Sequence, residues 1–243
     1  MGKKNNKTKK FLIVLFIIAF GLGLASYMYI NDYYRASSYV DDLIASSSNT
    51  IETRKNLTKI TSNELVSDSF EESIGLIFYP GGKVEAKAYM PLLLKLSDIG
   101  ITTVLVEMPA NLAVLDIKAA DDIYAKYPEI DKWYIAGHSL GGAMASSYME
   151  KNYEKVEGLI LMGAYPINEA AVDTLAIYGT HDIMLDLDKV VSADEVYEIV
   201  DGNHAQFGDY GEQEGDGLAK ISREDQQKQA IKRIKEFISK DSK

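Results

Sequence analysis

The sequence predicts an α/β protein with a mostly parallel sheet of about six or more strands and helices on both faces. From residue 74 onward, short apolar segments alternate with segments of helical periodicity. The apolar segments are nearly continuous rather than alternating, which is typical of parallel strands buried on both faces. A third observation, a long uncharged run near the N-terminus, predicts a transmembrane helix before this domain.

The predicted elements alternate in the order that a parallel sheet requires. The six predicted strands lie at residues 74–80, 101–108, 132–137, 156–163, 173–179 and 195–202. The predicted helices lie at residues 85–100, 116–128, 140–153 and 223–240. Ligands bind such sheets at the carboxyl ends of the strands, so we expect a functional site in the loops that follow them.

Two segments precede this domain, which we place at residues 73–243. Residues 1–10 carry five lysines and no acid, and residues 11–30 carry no charge and are long enough to cross a bilayer core of about 30 Å. We expect a basic cytoplasmic flank followed by a retained signal-anchor. The rest of this single-pass cell-membrane protein then lies outside the cytoplasm, because lysines favour the cytoplasmic side. Small residues at 23–26 leave cleavage and secretion as the alternative.

Residues 31–72 are polar and rich in serine and asparagine. We interpret them as a spacer that leads into the fold. Any strands within them are not legible from the sequence.

Composition excludes several classes of function. The formal net charge is −10, which argues against nucleic acid as a partner. The chain has no cysteine, so disulfides, thiolate catalysis and cysteine metal ligands are excluded. It has three histidines, His138, His181 and His204, and a histidine-dependent mechanism must use one of them.

Ser139 lies between two glycines where a predicted strand meets a predicted helix. Residues 137–141 read Gly-His-Ser-Leu-Gly and fit the pattern Gly-x-Ser-x-Gly. In a sharp strand-to-helix turn, side chains two residues before and after the serine would clash, and glycine removes that clash. The pattern predicts an exposed nucleophile, and the alternative is a glycine-rich turn with an ordinary serine.

A nucleophilic serine needs a base, an acid that orients the base, and donors for the oxyanion. After this turn the acid should come first and the histidine second. His204 follows a strand and a short turn and is the predicted base, whereas His181 is adjacent to Asp182 and is expected only to line the cleft. Asp182 follows the preceding strand and is the predicted acid, with Asp186 as the alternative.

The oxyanion donors are expected on two loops. One is the backbone N–H of Leu140, the residue after the nucleophile. The other is the N–H of Gly82, in the loop after the first strand, where consecutive glycines let the backbone approach an acyl oxygen. A plain tight turn is the alternative for that loop. The substrate cleft is expected to include residues from these and neighbouring loops: Gly81, Lys83, Asn111, His138, Tyr165 and His181.

These motifs resemble the α/β-hydrolase superfamily over about residues 74–240, and most closely a small bacterial group with a minimal core. The segments that carry the resemblance are 79–85 (YPGGKVE), 108–113 (MPANLA), 137–142 (GHSLGG) and 202–211 (GNHAQFGDYG). The resemblance implies the α/β-hydrolase fold, a Ser139–Asp182–His204 triad and acyl transfer on ester or amide bonds. Residues 164–172 leave room for a minimal cap or none, so we expect a shallow, open cleft.

The leading hypothesis is a membrane-anchored serine hydrolase that acts on a small-molecule or envelope-derived acyl substrate, with no cofactor and no metal. The alternatives are an acyltransferase acting on cell-envelope material and a non-catalytic binding module with the same fold. A calcium site is conceivable at the closely spaced acids Asp209, Glu212, Glu214 and Asp216, but a glycine-rich rim loop is preferred. The oligomeric state is not predicted.

Overall fold

The computed structural model describes residues 4–63, 70–168 and 171–240. The chain divides into two compact units, Met1–Tyr33 and Tyr34–Lys243. The first unit contains one helix, α1 (Lys4–Asn31). Within it, Thr8–Asn31 is long and apolar enough to cross a membrane, and its side chains are exposed. An apolar N-terminal helix of this kind serves either as an anchor or as a signal sequence.

The second unit contains eight strands and six α-helices within the described residues. The strands are β1 (Thr50–Arg54), β2 (Leu57–Thr61), β3 (Ile74–Tyr79), β4 (Ile101–Val106), β5 (Lys132–His138), β6 (Gly158–Met162), β7 (Asp173–Gly179) and β8 (Glu195–Ile199). The helices are α2 (Tyr39–Ser46), α3 (Met90–Asp98), α4 (Asp121–Lys126), α5 (Leu140–Met149), α6 (Leu187–Val190) and α7 (Arg223–Ile238).

The strands form one sheet in the order β1-β2-β4-β3-β5-β6-β7-β8. β3 to β8 run parallel, while β1 and β2 join the β4 edge as antiparallel strands. The predicted mostly parallel sheet is confirmed, and all six predicted strands are present. Tyr79 pairs with Gly137, and His138 pairs with Met162, so the carboxyl ends of the three central strands lie side by side.

Within residues 31–72, which we interpret from sequence as a spacer that leads into the fold, residues 39–61 contain α2, β1 and β2. β1 and β2 form a hairpin with a two-residue turn, in which Lys55 has a positive φ of 56°. Only Leu57 and Ile60 of this hairpin are buried. Because β1 is a largely exposed edge strand, it lacks the apolar signal that identifies the other strands.

The sheet has an apolar core on each face. Successive residues of β3 alternate between them: Leu76 and Phe78 belong to one cluster, and Ile77 and Tyr79 to the other. The first cluster contains side chains from α2, α3 and α7, and the second contains side chains from α4 and α5. Helices therefore cover both faces, as predicted, and hold the strand ends in a rigid frame.

The predicted helix at 116–128 is shorter than expected. α4 spans only Asp121–Lys126, because the buried Tyr79 hydroxyl holds the preceding turn: it donates to the Ile117 carbonyl and accepts from the Ala120 N–H. The segment between β6 and β7 contains no helix in its described residues, 163–168 and 171–172. The carboxyl edge of the sheet therefore has no helical cap at this position.

Candidate active site

Ser139 occupies a strained turn between β5 and α5. Its φ of 51° and ψ of −123° place a non-glycine residue outside the favoured regions, at a cost of about 1–3 kcal/mol. The main chain around it is held on both sides. The Ser139 N–H donates to the Met162 carbonyl at 3.0 Å, and the Ser139 carbonyl accepts from the Ala143 N–H at 3.0 Å. The turn leaves the serine side chain half-buried at the carboxyl edge of the sheet.

The glycines on either side of Ser139 are required by close backbone contacts. A Cβ atom at Gly137 would lie 2.5 Å from the carbonyl carbon of Gly141. A Cβ atom at Gly141 would overlap the Tyr79 and Pro80 carbonyl oxygens. These contacts are the steric reason for the Gly-x-Ser-x-Gly spacing in this chain.

Asp182 and His204 form a buried hydrogen-bonded pair. Asp182 Oδ2 lies 2.7 Å from His204 Nδ1, and the two residues are 5% and 2% exposed. Asp182 Oδ1 accepts the N–H groups of Met184 and Leu185 at 3.0 and 3.1 Å, which fixes the orientation of the carboxylate. A carboxylate only accepts hydrogen bonds, so Nδ1 carries the proton and Nε2 of the neutral ring presents a lone pair.

His204 Nε2 is buried and has no hydrogen-bond partner among the described residues. Buried polar atoms are almost always bonded, so the unpartnered Nε2 makes His204 a candidate proton acceptor for a neighbouring group. Ser139 is connected to the region around His204 through β6. The Ser139 N–H donates to the Met162 carbonyl, and Gly163, which follows Met162, lies against the His204 imidazole. Catalytic hydrogen bonds are often long in unliganded sites and shorten when substrate binds.

Gly163 is a site residue that the sequence analysis missed. Its φ is +53°, and a Cβ atom there would lie 2.8 Å from His204 Nδ1 and 3.3 Å from Asp182 Oδ2. Any side chain would therefore press against both members of the pair. The signal was a glycine directly after β6, at the same edge of the sheet as Ser139.

The loop after β3 presents one free N–H group. The N–H groups of Gly81, Lys83 and Val84 donate to Tyr89 Oη, the Asn111 carbonyl and the Gly81 carbonyl, respectively. Across the described residues, the Gly82 N–H has no acceptor. A Cβ atom at Gly82 would lie 3.2 Å from the Leu140 Cβ. The residues that carry the two predicted oxyanion donors are therefore in contact in the folded protein.

A chain of buried hydrogen bonds links this loop to His204. The His138 ring lies 2.7 Å from Tyr89 Oη through Nδ1 and 3.1 Å from the His204 carbonyl through Nε2. The carbonyl only accepts, so Nε2 carries the proton and Nδ1 accepts from the Tyr89 hydroxyl. The hydroxyl in turn accepts from the Gly81 N–H at 3.1 Å. We call this chain, Gly81–Tyr89–His138–His204, the inner bridge.

Burial keeps His138 of the inner bridge neutral. Burial lowers the pKa of His138 well below its usual range, and the nearby His204 lowers the pKa further. Burial also raises the pKa of Tyr89, which keeps the hydroxyl protonated. Both side chains therefore retain the protons that the bridge requires at neutral pH.

Two residues predicted to line the cleft lie behind it instead. His138 is 1% exposed and Gly81 is buried, because a Cβ at Gly81 would meet the Tyr89 hydroxyl and the His138 ring. Their placement in the substrate cleft is corrected: they support the loop from the protein interior.

The other predicted cleft residues are partly exposed. Asn111 accepts the Lys83 N–H through its carbonyl, and Tyr165 lies beneath the Lys189 ammonium, 5.0 Å from the ring centroid. His181 is not joined to the buried pair, since its Nε2 lies 3.3 Å from Asp201 Oδ1. The alternative acid, Asp186, is exposed and pairs with Lys189 at 2.9 Å.

Two of the four acids considered for calcium point into the protein. Asp209 is 2% exposed and accepts from Gln227 Nε2 at 2.8 Å, while Asp216 accepts the Ala205 N–H at 2.9 Å. Burial raises the pKa of Asp216. In the part of the chain that the structure describes, no group of three or more acidic or histidine side chains is arranged to hold a metal ion.

A family model described as the alpha/beta hydrolase family matches residues 75–228. A predicted CIB-like hydrolase from Thermoplasma acidophilum has a TM-score of 0.56 at 13% identity, covering 76% of this chain and 98% of its own. Est1E from Butyrivibrio proteoclasticus gives 0.54 at 14% identity, with 80% and 98% covered. Dienelactone hydrolase from Anabaena variabilis gives 0.54 at 15% identity, with 76% and 96% covered. No curated protein matches the chain. Identities this low establish a shared fold and nothing about substrate.

Proposed function

The chain belongs to the alpha/beta hydrolase family, and we propose that it is a membrane-anchored serine hydrolase that cleaves carboxylic esters. The observation that carries this proposal is the buried Asp182–His204 pair, whose imidazole packs against Gly163, while the preceding residue, Met162, accepts the N–H of Ser139 in its strained turn. His204 Nε2 has no hydrogen-bond partner among the described residues. A chain that only bound a ligand would need neither the strain at Ser139 nor an oriented, proton-accepting imidazole.

The proposed reaction forms and then hydrolyses an acyl-enzyme. Ser139 Oγ attacks the ester carbonyl carbon while its proton passes to His204 Nε2, and Asp182 stabilises the imidazolium. The Leu140 and Gly82 N–H groups donate to the oxyanion of the tetrahedral intermediate. The proton then passes to the leaving alkoxide and the alcohol departs. Water repeats the sequence on the acyl-enzyme, releasing the acid and restoring Ser139.

We propose an ester as the bond and an accessible site for the acyl group, each on one observation. The name of the dienelactone hydrolase with a similar fold refers to a lactone, which is a cyclic ester. In addition, residues 163–168 and 171–172 form no helical cap, and Ile167 is 44% exposed at this edge. An open edge of this kind suits a short acyl group or a large, protruding envelope-derived substrate better than a long chain that must be enclosed.

We further propose that α1 is retained as a signal-anchor, with the hydrolase unit outside the cytoplasm. Thr8–Asn31 has the length and apolarity of a membrane span, and the lysines before it favour the cytoplasmic side. Carbonate extraction of membranes checks retention: the full-length protein should stay in the membrane fraction. Recovery of a shortened, soluble form would instead indicate cleavage and secretion.

Replacing Ser139 with alanine tests the proposed chemistry. We expect hydrolysis of short p-nitrophenyl esters to fall by about 10⁴-fold or more, with loss of labelling by a fluorophosphonate probe. The Ser147→Ala variant is a matched control, because Ser147 is a partly exposed serine on α5, the helix that follows Ser139. Wild-type turnover by Ser139→Ala would refute the assignment. Absence of labelling in a folded wild-type protein would favour the binding module.

A further inference from the structure

Residues Tyr34–Tyr39, which follow the last residue of α1 by three positions, contact both loops of the candidate site. We call this segment the strap. Its first residue pairs with the loop after β3: the Tyr34 N–H donates to the Lys83 carbonyl at 2.8 Å, and the Glu85 N–H donates to the Tyr34 carbonyl at 2.9 Å. These two bonds fix the backbone on both sides of Val84, two residues after the predicted oxyanion donor Gly82.

A side chain of the same loop reaches back to the strap. The Ala36 N–H donates to Glu85 Oε2 at 2.8 Å. The strap therefore makes three hydrogen bonds with residues 83–85. One of the three depends on a carboxylate, and hydrogen bonds to a charged group are stronger than neutral ones.

The other contacts of the strap are with the loop that follows His204. The Ser37 N–H donates to the Asp209 carbonyl at 2.7 Å, and the Tyr39 hydroxyl bonds to the Asp209 carboxylate. Tyr34 Oη accepts the Glu214 N–H at 3.0 Å, and the Tyr34 ring lies 5.6 Å from the Tyr210 ring. Asp209 is itself buried, and its N–H donates to the carbonyl of Ala88, in the turn that precedes α3.

We propose that the strap is a positioning element of the active site. It connects the loop after β3, which carries the predicted oxyanion donor, to the loop after His204, and it does not itself touch the reacting atoms. The proposal rests on the proposed function and adds that hydrolysis depends on the segment next to the membrane helix. Four of its hydrogen bonds are made by main-chain atoms of the strap. These bonds depend on the backbone conformation of the strap more than on its side chains. The positioning residues are Tyr34 in the strap and Glu85 in the loop after β3.

The Glu85→Ala and Glu85→Gln variants test this role in the full-length protein. Glutamine can still accept the Ala36 N–H through its amide oxygen, and alanine cannot. We expect Glu85→Ala to lower kcat about tenfold, with KM changed less than twofold and the pH midpoint of kcat/KM unchanged, because Asp182 and His204 are untouched. Glu85→Gln should recover most of kcat. Equal kcat in wild type and Glu85→Ala, or an equal loss in both variants, would overturn the proposal.

A second measurement separates the strap from the reaction itself. Tyr34→Pro removes the N–H that donates to Lys83, and hydrogen exchange should then speed up in residues 83–85 and 209–214 while the amides of β5 and β6 remain protected. Unchanged exchange in those two loops would overturn the proposal. If the wild-type protein has no Ser139-dependent hydrolysis but the exchange result holds, the proposed function fails and the strap's contacts stand as structure alone.

Discussion

The nucleophile side of the candidate site and its acid–base side are held by different kinds of contact. Ser139 is placed by backbone hydrogen bonds and by glycines that leave no room for a side chain. Asp182 and His204 are placed by the hydrogen bond between their buried side chains and by the backbone N–H groups that the carboxylate accepts. The first side should fail when atoms are added, whereas the second should fail when a polar atom is changed as well as when an atom is added against the pair. The predictions below test this difference, beginning with the largest expected effect.

The acid–base side should fail on the change of a single atom. In Asp182→Asn, Oδ1 can still accept from Met184 and Leu185, but the amide NH₂ now faces His204 Nδ1. The imidazole must then carry its proton on Nε2, where it cannot accept the serine proton. We expect kcat to fall by about 10⁴-fold, the loss typical of the equivalent change in a serine triad, with little effect on folding.

Asp186→Asn provides the matched control for that variant. Asp186 is exposed, pairs with Lys189 and lies four residues along the same loop. Its change should alter kcat by less than twofold, because exposed ion pairs contribute little. A larger loss from Asp186→Asn than from Asp182→Asn, measured by steady-state ester hydrolysis, would make Asp186 the acid.

Adding one methyl group at Gly163 should disrupt the same pair by steric contact. The new Cβ would lie 2.8 Å from His204 Nδ1, and the ring must move to avoid it. A displacement of about 1 Å at a catalytic group costs roughly 10²-fold, so we expect kcat of Gly163→Ala to fall by that amount.

Gly215→Ala controls for backbone strain alone. Gly215 also has a positive φ, +84°, but a Cβ there would meet no atom within 4 Å. Both variants should lose some stability in urea unfolding, and only Gly163→Ala should lose activity beyond its loss of folded protein. Equal activity in the two variants would mean that the His204 ring tolerates the contact.

The parallel part of the fold was predictable because its strands are apolar on both faces. β3 and β6 are buried along their whole length, and such runs identify strands without knowledge of their neighbours. β1 gave no such signal, because it is an exposed edge strand whose place depends on pairing with β2. Its strand character comes from tertiary context, which a local pattern does not contain.

The acid, base and nucleophile could be proposed from sequence because motif order and strand ends limit the choice. The residues that support them could not. Tyr89 and His138 meet across 49 residues of chain, and the strap reaches Asp209 across about 170. No spacing rule connects such positions, so His138 was assigned to the cleft when it lies behind it.

A change in the inner bridge should have a smaller effect on kcat than the changes at Asp182 and Gly163. Tyr89→Phe leaves the Gly81 N–H without its acceptor and His138 Nδ1 without its donor, and an unsatisfied buried group costs about 1–3 kcal/mol. We expect a loss of that size in the free energy of unfolding and a roughly tenfold fall in kcat, because the oxyanion loop loses a support.

Tyr79→Phe is the matched control for the bridge. Its hydroxyl also accepts a buried N–H, that of Ala120, and donates to a carbonyl, that of Ile117. It should therefore cost similar stability in chemical denaturation. If Tyr89→Phe and Tyr79→Phe lower kcat equally, the inner bridge affects activity only through the stability of the fold.

The smallest effect concerns pH, and His138 carries it. The folded protein keeps His138 neutral, with its pKa well below the usual range, because the ring is buried and faces His204, Tyr89 and Phe207. In the unfolded chain the pKa is about 6.5. As pH falls below about 6.5, the unfolded state binds a proton that the folded state excludes, and the free energy of unfolding decreases.

His138→Gln removes this titration while its amide can still donate to the His204 carbonyl. Its unfolding free energy should fall less steeply than that of wild type as pH decreases from 6.5, by up to about 1.4 kcal/mol per pH unit, the slope for one proton. Denaturant unfolding at several pH values between 5 and 8 measures the two slopes. Parallel curves would mean that His138 binds its proton in the folded protein, with Nδ1–H donating to Tyr89 Oη instead of accepting from it, and would refute the neutral ring.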